Sequence, residues 1–159
     1  MPRASYLDVE LAGRPRAQAL ARCARQVAVW KLTMPLVRPL VLDFALGDFP
    51  STGLIEFWVA NALDAGYCGK FLFLFDRQTC PTHRHRMKHE TFFVVKGSVR
   101  MRTDRRSRVL GEGAVLAVPP GVFHSFTAVG PALLLEVSQP SIRHDNFFKD
   151  KRVAGTGVI

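Results

Sequence analysis

The stretch HRHRMKHETFFVVKG, residues 83–97, decides the fold, because it joins three candidate metal ligands to an apolar strand. His83 and His85 are two residues apart, so on a β-strand both imidazoles leave the same face. Glu90 follows five residues after His85, which leaves room for a turn and the start of a returning strand. The stretch therefore predicts two neighbouring strands that direct three polar side chains toward one place.

A second segment, GAVLAVPPGVFH at 113–124, supplies a fourth candidate ligand. Pro119 and Gly121 favour a tight turn, and His124 begins the strand that we expect after it. Three neutral imidazoles and one carboxylate suit a borderline divalent ion such as Mn, Fe, Co, Ni or Zn. Such a set leaves coordination positions open, as catalytic sites do, whereas Mg and Ca prefer all-oxygen shells.

The rest of the chain predicts one helix followed by a β-rich domain. Apolar residues at three- and four-residue spacing predict an amphipathic helix over 14–29, with Pro15 in its first turn. Pro35 and Pro39 interrupt the next ten residues, which we expect to form a surface connection. From Leu40 onward, short apolar runs predict strands at 40–46, 54–60, 68–76, 82–86, 91–96, 98–103, 107–110, 114–118, 122–128 and 132–138.

Many short strands with no helices between them favour a sandwich or a barrel. The segment from Asn146 to Ile159 is polar and contains glycine, so we expect it to be ordered only if it docks. At 159 residues the chain suits one compact domain, and its 48% apolar content exceeds what disordered chains contain.

Composition also predicts the compartment. No apolar run approaches the roughly 18 residues required to cross a bilayer, so we expect no membrane association. Arg22 and Arg25 interrupt every hydrophobic stretch that could serve as a signal peptide. Cys23, Cys68 and Cys80 form no CxxC pair, and we expect reduced thiols in a cytoplasmic protein. Cys80 could approach the site near His83, although a free cysteine is more often a packed small hydrophobe.

The net charge of +9 raises the question of an anionic partner. The densest basic cluster consists of Arg100, Arg102, Arg105, Arg106 and Arg108, where the first two alternate with Val99 and Met101. This alternation predicts the solvated face of a β-hairpin. A nucleic-acid partner is not favoured, because no recognised binding motif accompanies the charge. Attraction of an anionic sugar or a phosphate remains an alternative.

The two histidine segments resemble the two motifs of the cupin superfamily. The first motif is HxH, four residues, Glu, six residues, Gly, and the second is Gly, five residues, Pro, one residue, Gly, two residues, His. The positions that match are His83, His85, Glu90 and Gly97, and then Gly113, Pro119, Gly121 and His124. Arg77 and Ala128 replace the Gly and Asn that usually open the first motif and close the second, and neither position is a ligand.

This resemblance implies an all-β fold, a double-stranded β-helix or jelly-roll barrel, which would follow the short α-helix that the spacing of apolar residues predicts. We expect a helical extension at 1–39, a single cupin domain at 40–152 and a tail at 153–159. It also implies that His83, His85, Glu90 and His124 bind one metal ion, with a metal-free binding cupin as the alternative. Homodimers are common among cupins, and exposed strand edges favour pairing, so we expect a homodimer.

Three further segments resemble the D-lyxose isomerase family, which are manganese-dependent aldose–ketose isomerases: LGDFPSTGL (46–54), QTCPTHRH (78–85) and EVSQPSIRHDNFF (136–148). The resemblance implies Mn²⁺ and a sugar substrate. It also implies that Lys88 supplies a hydrogen bond or a positive charge to a substrate oxygen. Asp145 and Asn146 match an Asp-Asn pair that would close over the substrate. A solvated lysine and an ordinary polar turn are the alternatives at these positions.

Glu136 is the candidate catalytic carboxylate. In LLLEVS it interrupts an apolar strand, and a buried Glu without a task would carry a desolvation cost. Aldose–ketose interconversion needs a carboxylate within hydrogen-bond reach to move a proton, and a metal ion to stabilise the enediolate. A structural ion pair with an arginine is the alternative. His89, adjacent to Glu90, points to the other face of an extended strand and is expected at the surface or behind the ligands.

Two other functions use a similar fold and similar ligands, because one fold hosts many chemistries. One is an Fe(II)-dependent cupin dioxygenase, which oxygen consumption would reveal. The other is a non-catalytic sugar-binding cupin. The function that the sequence favours is a metal-dependent aldose–ketose isomerase acting through an enediol, with Glu136 and Lys88 as its catalytic residues.

Overall fold

The computed structural model describes residues 7–104 and 106–159. These residues form one α-helix, two short 3-10 helices and nine β-strands. The bounds are α1 (Gly13–Val29), β1 (Leu40–Leu42), β2 (Leu54–Ala62), β3 (Tyr67–Leu74), β4 (Thr79–Arg84), β5 (Glu90–Thr103), β6 (Arg106–Leu110), β7 (Val115–Val118), β8 (His124–Ser138) and β9 (Phe147–Phe148), with the 3-10 helices at Leu7–Val9 and Val153–Gly155. No helix among them is both long and apolar enough to cross a membrane.

The strands form one antiparallel sheet that curls around an apolar interior. The order is β1-β2-β3-β8-β4-β9, and β5 pairs with β6, β7 and β8. The 15-residue strand β8 is the centre, because its two halves pair with different neighbours along its length. This architecture confirms the predicted all-β fold with one N-terminal helix.

Helix α1 covers the outer face of the first strands. Its buried residues Ala19, Cys23 and Val27 recur every four residues, so they share one stripe of the helix. The stripe packs against Ile55 and Phe73, which leave the sheet on its convex side. Burial of one such side chain stabilises the fold by about 1.5–3 kcal/mol. The predicted helix over 14–29 is confirmed with a start one residue earlier.

In two places, two strands that the sequence predicted separately are parts of one continuous strand. The predicted runs 91–96 and 98–103 are both parts of β5, and 122–128 and 132–138 are both parts of β8. Gly97 separates the first two runs in sequence but bends the strand without ending it, at φ +73° and with shifts in pairing register around it. A Cβ at Gly97 would clash with the Pro131 carbonyl oxygen, so only glycine fits there.

The arginine-rich segment forms the predicted hairpin. Strands β5 and β6 pair from Val99–Leu110 to Thr103–Arg106, and Arg100, Arg102, Arg106 and Arg108 are exposed. On the opposite face Val99 and Met101 are buried in the interior of the sheet. The alternation therefore predicted the two faces correctly. Arg105 lies outside the described residues.

The end of the chain docks on the sheet. Strand β9 pairs with β4 through His83–Phe148 and Arg84–Phe147. Phe148 and Val153 are buried, and Ile159 packs against the interior cluster. Backbone hydrogen bonds between Asn146 and Ile159 in both directions complete the contact. The sequence predicted order only on docking, and apolar side chains at 148, 153 and 159 provide it.

Candidate metal centre and surrounding cavity

The structure brings the four predicted ligands together. His83 lies near the end of β4 and His85 directly after it, while Glu90 and His124 are the first residues of β5 and β8. His83 is directly opposite His124 in the antiparallel register, so both imidazoles leave the same face. All four residues are buried, and one ligand atom from each lies within 4.8 Å of the others.

Backbone carbonyls fix the orientation of all three imidazoles. Nδ1 of His83 lies 2.8 Å from the Pro81 carbonyl oxygen, Nδ1 of His124 lies 3.0 Å from that of Val122, and Nδ1 of His85 lies 3.0 Å from that of Asp145. A carbonyl can only accept, so each Nδ1 carries the proton in a neutral ring. Each Nε2 then presents a lone pair, the form in which histidine binds a metal.

The contacts at the centre fit a cation. His85 Nε2 lies 3.1 Å from one oxygen of Glu90, and His124 Nε2 lies 3.0 Å from the other. Within the part of the chain that the structure describes, these two nitrogens and Glu90 Oε2 are buried without a hydrogen-bond partner. Lone pairs facing one another at this distance repel unless a positive charge lies between them. Three nitrogens and a carboxylate suit a divalent transition ion.

The charge states of His83 and Glu90 also suit a ligand set. Burial, together with the neighbouring His124 and His85, holds the pKa of His83 well below its usual range, so the ring stays neutral. Burial alone would raise the pKa of Glu90, but the interactions that oppose it, the attraction of the Lys88 ammonium group foremost, outweigh burial. The pKa of Glu90 therefore lies well below its usual range, and the carboxylate is ionised.

Glu136 and Lys88 lie beside this centre. Lys88 Nζ is 2.8 Å from Glu136 Oε1, 2.9 Å from Glu90 Oε1 and 3.3 Å from Ser141 Oγ. Ser138 Oγ donates a second hydrogen bond, 3.0 Å long, to Glu136 Oε1. Lys88 is 3% exposed, so it is not a solvated turn lysine, and the partners of Glu136 are lysines rather than an arginine.

Two charged residues of the site escaped the sequence analysis. Glu56 on β2 and Lys70 on β3 are buried, and Lys70 Nζ lies 3.2 Å from Glu56 Oε1 and 3.4 Å from Glu136 Oε2. With Lys88, Glu90 and Glu136 they form a buried network of three carboxylates and two ammonium groups, which leaves one formal negative charge beside the imidazoles. Glu56 interrupts the apolar run LIEFW, and Lys70 interrupts the apolar run CGKFLF. A charged residue within an apolar strand is the same signal that identified Glu136.

Asp145 and Asn146 have different surroundings. The Asp145 carboxylate accepts backbone N–H bonds from Arg86, at 2.9 Å, and Met87, at 3.3 Å, while its carbonyl oxygen orients His85. Asn146 donates to the Ile159 carbonyl oxygen and lines the cavity. Substrate binding by these two residues stays a prediction, and the contacts of Asp145 add a structural role, namely support of the loop that carries His85.

His89 and Cys80 also lie near the centre but are not among the four candidate ligands. His89 is exposed, and its backbone N–H donates to Gln139 Oε1, as expected for a residue pointing away from the ligands. Cys80 is buried, and burial raises the pKa of its thiol well above the usual range. Cys80 is therefore a neutral thiol in the wall of the cavity.

A small cavity opens beside the centre. Its polar lining includes His83, His85, Lys88, Glu90 and Glu136, and Trp58, Lys70 and Glu56 line it as well. Apolar side chains of β1, β2, β3 and β9, together with Ile159, close its base and sides. A small polar molecule entering it would meet the metal ligands and the Glu136 carboxylate together.

The fold and the centre are those of a cupin, and residues 74–138 match the family described as cupin domain. Two solved structures of similar fold are L-ribose isomerases. The one from Cellulomonas parahominis superposes with a TM-score of 0.71 at 17% identity, over 94% of this chain and 97% of that one. The one from Geodermatophilus obscurus has a TM-score of 0.73 at 16% identity, over 92% and 95%. At these identities the likeness concerns the fold alone.

Two other isomerases are more similar to this chain in sequence than these two solved structures are. The D-lyxose/D-mannose isomerase of Thermosediminibacter oceani is 32% identical over 141 residues, which cover 71% of this chain and 77% of the relative. The D-lyxose ketol-isomerase of Cohnella laeviribosi is 29% identical over 92% of this chain and 94% of its own length. The chain belongs to the D-lyxose isomerase family of cupins.

Proposed function

We propose that the protein is a metal-dependent aldose–ketose isomerase that interconverts D-lyxose and D-xylulose. The observation that carries the proposal is the position of Glu136: a buried carboxylate, held by Lys88, on the wall of a cavity that is also lined by His83, His85 and Glu90 of the four-residue cluster. An isomerase needs a base and a cation that act on adjacent atoms of one sugar, and the site supplies both.

We propose His83, His85, Glu90 and His124 as the ligands. A divalent cation held by them would stabilise the negative charge that develops on two adjacent sugar oxygens. Mn²⁺ is the ion that we propose, because the resemblance to the D-lyxose isomerase family implies it and the donor set suits it. The negative formal charge of the buried network favours a cation at this position.

Glu136 moves the proton between the carbons. Its carboxylate takes the proton from the carbon beside the carbonyl, the electron pair of that C–H bond becomes a C=C bond, and the π pair of the carbonyl moves onto its oxygen, which gives an enediolate. The same group then returns the proton to the neighbouring carbon, while one hydroxyl proton passes between the two oxygens. A single carboxylate suffices, since donor and acceptor carbons are adjacent.

Lys88 supports this transfer in two ways. Its contact with Glu136 Oε1 holds the base in place, and its contact with Glu90 Oε1 keeps the ammonium group next to the cluster. Burial alone would lower the pKa of Lys88, but the adjacent Glu136 and Glu90 carboxylates raise it above its ordinary value. A permanent cation there stabilises an oxygen that becomes negative during the reaction.

We also propose a cytoplasmic location. All three cysteines, which lie within the described residues, are buried and form no disulfide, as is usual for a reducing compartment.

The test is a conversion panel on protein stripped of metal. Mn, Fe, Co, Ni and Zn are each added, and D-lyxose, D-mannose and L-ribose are offered as aldoses. We expect D-xylulose from D-lyxose, with Mn as the best ion. Oxygen consumption that requires Fe(II) would instead indicate a dioxygenase, and sugar binding without turnover under every metal would indicate a non-catalytic sugar-binding cupin.

A further inference from the structure

We propose that Lys70, anchored by Glu56 and Trp58, is a positioning residue for the base Glu136. The inference rests on the proposed isomerase function and adds residues from β2 and β3 to the site. It concerns which oxygen of Glu136 removes the proton and what holds that oxygen in place.

The strand register brings these residues into one row. Trp58 on β2 is directly opposite Lys70 on β3, and Lys70 is directly opposite Glu136 on β8. Directly opposed residues on one face have neighbouring Cβ atoms, so their side chains meet inside the curled sheet. All three line the cavity, as does Glu56, two residues before Trp58.

The two oxygens of Glu136 have unequal contacts. Oε1 lies 2.8 Å from Lys88 Nζ and accepts a 3.0 Å hydrogen bond from Ser138 Oγ. Among the described residues, Oε2 has the longer contact, 3.4 Å to Lys70 Nζ. Two short contacts engage the lone pairs of Oε1, so Oε2 is the oxygen with a lone pair available to accept a proton. The geometry therefore assigns Oε2 as the atom that removes the proton, and Lys70 as the group that orients it.

Lys70 is itself held from behind. Its ammonium group contacts Glu56 Oε1 at 3.2 Å and lies 4.8 Å from the centre of the Trp58 ring. The indole N–H of Trp58 donates a 2.6 Å hydrogen bond to Glu56 Oε2, so both oxygens of Glu56 are engaged. Burial alone would lower the pKa of Lys70, but Glu136 and Glu56 raise it well above its usual range. Lys70 is therefore a fixed cation with a defined direction.

Burying this row of charged side chains costs folding free energy, and that cost argues for a functional role. Buried ion pairs commonly stabilise a fold less than apolar residues of similar size would. Apolar side chains such as Leu54, Leu72 and Leu134 fill the neighbouring inward positions of the same strands. A charged row in this apolar interior, ending on the proposed base, points to positioning of the base rather than to packing.

The test compares kcat and KM on D-lyxose for metal-loaded wild type and Lys70→Met. We expect kcat to fall about 100-fold with KM and metal content unchanged, because a misplaced base slows proton transfer without weakening substrate binding. The matched control is Lys96→Met, which removes a lysine from an exposed ion pair with Glu112. We expect it to leave both kinetic constants unchanged.

Two more variants separate function from folding. Lys70→Met leaves Glu56 buried without its cation, so Glu56→Gln/Lys70→Met removes both charges and should fold with the same loss of kcat. Trp58→Phe keeps an aromatic ring near Lys70 and removes the indole N–H that donates to Glu56, so a smaller loss of kcat at constant KM is expected.

The outcomes distinguish this inference from the proposed function. An active wild type in which Lys70→Met and the double variant raise KM at constant kcat would make Lys70 a substrate contact and overturn the positioning role. Unchanged constants in both would overturn it as well. A wild type that isomerises no sugar with any metal would overturn the proposed function, and this inference with it.

Discussion

Each imidazole of the candidate centre uses one nitrogen before any metal binds. The carbonyl oxygens of Pro81, Val122 and Asp145 accept hydrogen bonds from the three Nδ1–H groups. This leaves each Nε2 available, and those of His85 and His124 lie 3.1 and 3.0 Å from the Glu90 oxygens. The tautomer of each ring is therefore set by a backbone carbonyl group, which the substitution of another histidine does not remove. It makes the removal of one ring a clean test of the ligand assignment.

His124→Ala is expected to lose the bound metal. The substitution removes one of three nitrogen donors, and a truncated ligand set binds a transition ion far more weakly. Metal content is measured by elemental analysis after dialysis. His89→Ala, an exposed histidine next to Glu90, is the matched control and should keep its metal. An unchanged metal content in His124→Ala would refute the ligand assignment.

Asp145→Ala is expected to weaken metal binding by about 10- to 100-fold, the usual effect of removing support behind a ligand. The carboxylate holds the backbone of Arg86 and Met87, next to His85, and its loss frees that loop. Competition with a chelator measures the affinity. A raised KM for the sugar with unchanged metal affinity would contradict this role and favour the predicted substrate contact instead.

At the scale of elements, the sequence predicted which four side chains come together better than it predicted the strands. The spacing of His83, His85, Glu90 and His124 was sufficient, because the first two lie two residues apart at the end of β4 and the others begin strands after short turns. The continuity of β5 and β8 was not predictable from periodicity, since Gly97 and Gly130 resemble turn residues in sequence but lie within paired strands.

The row of Trp58, Lys70 and Glu136 shows why part of the site was missed. Its members come from three strands separated by loops, and only the register of the sheet brings them together. Register depends on the whole interior rather than on any short motif. Strand β9 was missed for a related reason: two residues are too few to show a period, and its pairing depends on the docked tail.

Helix α1 and strand β1 are joined by Glu10. This carboxylate accepts 3.1 Å hydrogen bonds from Arg16 of α1 and from Arg38, and a 3.4 Å bond from the backbone N–H of Val41. Burial alone would raise the pKa of Glu10, but Arg38 and Arg16 together lower it below the ordinary value of 4.5. Glu10 therefore stabilises the folded state as an anion.

Glu10→Gln is expected to lower the free energy of unfolding by about 1 kcal/mol at neutral pH, a modest value because Arg38 is more than half exposed. A depressed folded-state pKa contributes stability above the unfolded value and loses it as the pH falls through the folded value. The difference between wild type and variant should thus shrink below about pH 4.5. Urea titrations at neutral pH and below about pH 4.5 measure this difference in unfolding free energy. A difference that does not change with pH would contradict the argument.

For the whole molecule, one face of the sheet remains apolar and exposed. Phe93 on β5 is directly opposite Val115 on β7 and Leu135 on β8, and Val115 and Val137 are each more than half exposed. Contiguous apolar surface of this kind commonly marks an interface between protein chains. The predicted homodimer would bury this face.

Val115→Lys is expected to convert the homodimer to a monomer, because a charge would be desolvated at the interface. Val109→Lys, at an exposed valine of the arginine-rich hairpin, is the matched control and should stay dimeric. Light scattering coupled to size exclusion gives the mass. A wild type that is monomeric at all concentrations would contradict the prediction.

The most direct measurement of the central claim is deuterium uptake by D-lyxose during incubation with the protein in D₂O. Wild type loaded with metal should exchange the hydrogen at the carbon beside the carbonyl. Glu136→Gln should bind the same amount of metal and incorporate no deuterium, since its amide cannot accept the proton. Undiminished incorporation in the metal-loaded Glu136→Gln protein would show that another group is the base and would contradict the account.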